Sequence, residues 1–127
     1  MNREKFESLV EEAVESLPEE FKDRLENIDV VVEALPSRRQ LTKTHLGLGY
    51  TLLGLYEGVP LTERTTSYGL VPPDKITIFQ KTIEDFCRGK DEMEIKDQIC
   101  KTVIHEIAHH FGIDDDRLDE IENEKNH

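Results

Sequence analysis

Residues 104 to 115 read Ile104-His105-Glu106-Ile107-Ala108-His109-His110-Phe111-Gly112-Ile113-Asp114-Asp115. His105 and His109 are four residues apart, so on a helix their imidazoles stand about one turn apart on one face and can reach the same ion. Glu106 is rotated by about 100° from His105. Its carboxylate lies beside the pair, where it can hold a water molecule. Three residues after His109, Gly112 can adopt the left-handed conformation that ends a helix and turns the chain back. Asp114, Asp115 and Asp116 follow, so a carboxylate of one of them returns toward the two imidazoles. Two histidines and a returning carboxylate form the donor set of a hydrolytic zinc site, with the neighbouring glutamate beside it.

Outward from this stretch the chain is organised by apolar periodicity. Upstream, Asp91 followed by Glu94 has the spacing of a capping box. From there Ile95, Ile99, Val103, Ile104, Ile107 and Phe111 form an apolar stripe along one long helix, with the histidine pair on a different side. His110 falls at the edge of the stripe and is expected to be a packed or supporting histidine rather than a ligand. Gln80 to Arg88 reads as a short helix ended by Gly89. Phe6, Leu9, Val10, Ala13, Val14 and Leu17 mark an amphipathic helix over residues 2 to 17. Pro18 opens a second, short helix over Glu19 to Glu26. Ile28 to Ala34, Thr51 to Tyr56 and Lys75 to Phe79 have strand character. Between Ser37 and Tyr50 periodicity is lost and a loop is expected, since Gly47, Gly49 and Gly54 lack phosphate-loop spacing. Leu118 and Ile121 suggest a short terminal helix, and His127 at the end carries no expected role. The expected fold class is α+β: a small mixed sheet of about three to four strands packed against an N-terminal helix and the long site helix.

A chain of 127 residues fits one domain over 1–127 with a single modest core. The formal net charge is -12, which repels nucleic acid in the absence of a strong basic patch. The basic cluster Arg38, Arg39, Lys43 and His45 reads as an exposed loop. No stretch is apolar enough for a signal peptide or a membrane span, so a cytoplasmic protein without membrane contact is expected. Cys87 and Cys100 do not have the spacing of a disulfide framework or a Cys-x-x-Cys metal site, and buried free thiols are expected. Cys87 as a thiolate cap on the metal has no support in its spacing.

The run HEIAHHFGIDD, as H-E-x-x-H-x-x-G-x-x-D, resembles the extended signature of the minimal zincins, small and mostly bacterial zinc-dependent peptidases. Similarity extends to LPEEFKDRLENIDVVVE, TLLGLYEGVPLTER and VPPDKITIF. This resemblance implies a minimal zincin-like fold, with His105, His109 and Asp115 as zinc ligands and Glu106 as the catalytic glutamate. Asp115 stands where larger metzincins usually carry a third histidine, and no methionine follows it, so only the helix and turn are shared with them. The family also implies that one strand of the sheet takes up an extended peptide or protein substrate as an added strand. On this reading a zinc-activated water hydrolyses the peptide bond with Glu106 as general base. Tyr50, Tyr56 and Tyr68 are the tyrosines available to stabilise an oxyanion, though half-buried packing is the expected role of each. Two other readings compete: a zinc-binding regulatory or interaction module without efficient cleavage, and a small three-histidine nuclease, which the acidic charge and Glu106 disfavour. Iron(II) is the rival metal. Glu120, Glu122 and Glu124 follow the histidines too closely for a thermolysin-like third ligand.

Overall fold

The computed structural model describes residues 1–43, 52–58 and 74–112. The expected strand start at Thr51, the tyrosines Tyr50 and Tyr68, His45, the aspartates 114 to 116, and the C-terminal helix around Leu118 and Ile121 lie outside these residues. Within them the elements run α1 (Arg3–Glu15), α2 (Glu19–Arg24), a 3-10 turn (Leu25–Asn27), β1 (Ile28–Glu33), α3 (Arg38–Lys43), β2 (Gly54–Glu57), β3 (Asp74–Phe79), α4 (Gln80–Phe86) and α5 (Glu92–Phe111). The fold is α+β, as the element pattern implies.

The sheet has the order β1-β3-β2. β1 runs parallel to β3, and β2 runs antiparallel to it, pairing Gly54 with Ile78 and Tyr56 with Ile76. Alternation along a strand puts residues 74, 76 and 78 of β3 on the same face as 54 and 56 of β2. That face meets the core. Ile76 and Ile78 are fully buried there with Phe6, Ala13, Phe21, Ile99, Val103 and Ile107 from the helices.

Helix α1 begins at Asn2, whose side chain accepts from the Lys5 backbone N–H, and it presents Phe6, Leu9, Val10 and Ala13 to α5. The α2 segment buries Phe21, with Leu25 in the turn that follows. These are the positions that apolar spacing marks.

Residues 38–43 correct the sequence reading, in which a loop is expected there. Ser37 Oγ accepts from the Gln40 N–H at 3.1 Å, and Gln40 Oε1 accepts from the Ser37 N–H at 2.8 Å. This is a reciprocal S-x-x-Q capping box, which satisfies two helix-start donors at once. Arg38 and Arg39 thus sit on a helix, although both are exposed as expected. Among the described residues no helix is long and apolar enough to cross a membrane.

Candidate metal and hydrolytic site

Helix α5 carries the site because both of its ends are defined locally. Asp91 accepts from the Glu94 N–H at 2.9 Å at the start. At the other end Gly112 adopts φ 70 and ψ 29, and its N–H bonds to the Ala108 carbonyl. A β-carbon is disfavoured in that left-handed conformation, so glycine there ends the helix immediately after the histidines.

Between the caps, burial sorts the side chains by face. Ile99, Val103, Ile104 and Ile107 are buried, whereas His105 and His109 are exposed. The two imidazole centroids are 6.4 Å apart with planes at 60°. Two rings sharing one zinc at bond lengths of about 2.0–2.1 Å would have centroids about 5 Å apart at a tetrahedral angle. Side-chain rotation of two exposed rings spans that difference without moving the backbone. Imidazole nitrogens are zinc-type donors, so this pair is compatible with the ion. Among the described residues no group of three His, Cys, Asp or Glu side chains converges on one point. Asp115, the expected third ligand, lies outside them.

The position of Glu106 follows from a row that the sequence did not reveal. Thr102, Glu106 and His110 are spaced at i, i+4 and i+8 and line one side of α5. Strand β2 and the Gly58 that follows it lie against the two ends of this row. A β-carbon on Gly54 would sit 2.6 Å from Thr102 Cγ2, and one on Gly58 would sit 3.7 Å from His110 Cε1. Eight helical residues rise about 12 Å, and four strand steps span about 13 Å. Strand and helix row therefore run in step and in the same direction, with Glu106 midway between the two contacts. Its half-buried carboxylate is pushed up to about 7 from an ordinary 4.5, because burial penalises the charged form.

His110 is exposed, and its ring is stacked on Tyr56. The rings stack at 3.9 Å with planes 14° apart. Tyr56 Oη donates to Asp74 Oδ2 at 2.6 Å, so this tyrosine is engaged with β3 as well as with α5. Phe111 departs from the sequence reading. Periodicity puts it on the apolar stripe, yet it is 46% exposed, edge-on to His110 and Tyr56, with the Arg24 guanidinium 5.3 Å from its ring centre. The helix ends one residue later, so little of the core remains for it to cover.

Cys87 and Cys100 are free and buried, as expected. Burial raises the Cys87 thiol, with Lys90 and Glu94 as its charged neighbours. Glu94 and His105 are separated by about 16 Å along the helix axis. A thiolate cap on the metal is therefore not supported. Gly54, Thr102 and Asp74 are residues of this region that pattern reading missed. A glycine inside a strand was the available signal, since it often marks a close approach of another element.

Comparison with known proteins agrees with this architecture. A family model described as zincin-like metallopeptidase matches residues 25–125. Among solved structures the chain is similar to a conserved hypothetical protein from Thermo thermophilus, with 26% identity and a TM-score of 0.55, over 87% of this chain and 94% of that one. No curated protein matches.

Proposed function

Since the chain belongs to the zincin-like metallopeptidases, we propose that it hydrolyses peptide bonds in extended peptide or protein substrates, with His105, His109 and Asp115 holding zinc and Glu106 as general base. When bound, the ion supplies Lewis acidity and lowers the pKa of a water molecule to about 7. Glu106 takes the proton of that water as its oxygen attacks the carbonyl carbon of the substrate. The same carboxyl then delivers the proton to the departing amine nitrogen, so the base is regenerated.

The observation that carries this reading is the contrast along one helix. Two exposed imidazoles one turn apart flank a carboxylate that burial has raised to about 7. Burial makes a carboxylate a stronger base, which is the property that proton abstraction needs. β2 supports the substrate class. Among the described strands it is the outer one that lies along α5, so an extended peptide beside it would lie next to the Glu106 row.

The test is a screen of zinc-loaded protein against a diverse peptide pool, read by mass spectrometry, with Glu106→Gln as control. The proposal expects cleavage by the wild type and none by a variant that keeps its zinc. A wild type that binds zinc and cleaves nothing would favour the regulatory or interaction module instead.

A further inference from the structure

We infer that Tyr56 is a positioning residue, clamping the last turn of α5 so that His109 stays directed at the metal. The inference rests on the reading of His109 as a ligand. The last turn of a helix is its weakest part, because its final carbonyls lack intrahelical partners and it frays first. Here His109 lies three residues before the Gly112 cap, and its imidazole is exposed. Among the described residues its ring contact is with His105, one turn back on the same helix.

The adjacent residues tie the turn to the rest of the fold. His110 is stacked against Tyr56 at 3.9 Å, and Tyr56 is anchored through its hydroxyl to Asp74 on the central strand β3. Phe111 meets the edges of both rings and carries Arg24 of α2 over its face. Arg24 is in turn held by the Glu20 carbonyl at 3.0 Å. Side chains from α2 and β2, the latter anchored on β3, therefore meet two consecutive residues at the end of α5. A stack that only filled the core would be buried, yet His110 and Phe111 are both exposed. Exposed aromatic contacts add little to a hydrophobic core, but they fix the angle and closure of the turn that bears His109.

The test is hydrogen exchange on the metal-free protein, comparing wild type, Tyr56→Leu and Tyr56→Phe, together with zinc affinity by chelator competition. Loss of an aromatic pair of this kind corresponds to about three- to tenfold. In Tyr56→Leu, amides 109–112 should exchange about three- to tenfold faster while amides 96–104 keep wild-type rates, and zinc should bind more weakly by a similar factor. Tyr56→Phe keeps the stack but loses the bond to Asp74, so it should recover part of both effects. Unchanged exchange at 109–112, or equal acceleration along the whole helix, would overturn the inference. So would faster exchange with unaltered zinc affinity. If the wild type itself binds no zinc, the ligand reading fails and this inference with it, and the exchange pattern still reports separately whether the stack closes the turn.

Discussion

The most searching structural prediction concerns Gly54, which allows β2 to lie against the Glu106 row. A methyl group added there would stand 2.6 Å from Thr102 Cγ2, 3.2 Å from the Thr77 carbonyl oxygen and 3.4 Å from Ile78 Cδ1. The first distance is impossible without movement, and Thr102 cannot easily turn away. Its side chain is β-branched, and its hydroxyl is bonded to the Gln98 carbonyl at 2.9 Å. The strand must lift from the helix. Overpacking of this kind costs about 1–3 kcal/mol, while replacing glycine in the unfolded chain returns about 0.4–1 kcal/mol. Gly54→Ala should therefore destabilise by about 1–2 kcal/mol, measured as a lower midpoint in urea at unchanged slope. Thr102→Ser removes Cγ2 but keeps the hydroxyl bond, so it should relieve the clash. The double variant should then be more stable than the sum of the single effects by about 0.5–1.5 kcal/mol, with the Thr77 oxygen contact limiting full recovery. Strict additivity, or a neutral Gly54→Ala, would refute the close approach of strand and helix.

Other consequences follow from the same geometry. Glu106 titrates near 7 when folded and near 4.5 when unfolded, so the folded state binds more protons between those values and its stability falls as pH rises through that window. The displacement corresponds to at most about 3 kcal/mol, reduced by solvent screening of a half-buried group, and the metal-free Glu106→Gln protein should lose this component relative to wild type in urea titrations at pH 5 and pH 8. His105→Ala and His109→Ala remove exposed side chains, so each should change metal-free stability by less than about 0.5 kcal/mol. Calorimetric zinc titration of the same variants should show affinity reduced by more than about 100-fold, the upper range for merely supporting residues. Cys87 and Cys100 should react with a thiol reagent only as fast as the protein unfolds, because both are buried and burial raises the Cys87 thiol; modification within the mixing time of native protein would contradict their placement.

The site helix was legible because every signal for it is local. Asp91 and Glu94, the apolar stripe, the histidine spacing and Gly112 all act within a few residues of one another. The strands were located to within a few residues, since β-branched runs are also local. What the sequence concealed was mutual placement. The order β1-β3-β2 and the seating of β2 on α5 depend on contacts between residues far apart in the chain, such as Gly54 with Thr102 and Tyr56 with His110 and Asp74. The raised pKa of Glu106 was hidden as well, because its cause is burial in the folded chain. Helix α3 is different: Ser37 and Gln40 announce it in plain capping-box spacing, and the two arginines between them draw the reading toward an exposed loop.

The central claim is that two imidazoles of α5 and a carboxylate hold zinc beside Glu106. X-ray absorption at the zinc edge, on protein carrying one equivalent of the metal, tests it most directly. The account predicts a shell of nitrogen and oxygen donors at about 2.0–2.2 Å with the outer-ring scattering of two imidazoles and no sulfur. A sulfur shell at about 2.3 Å, or a site with no imidazole scattering, would contradict it.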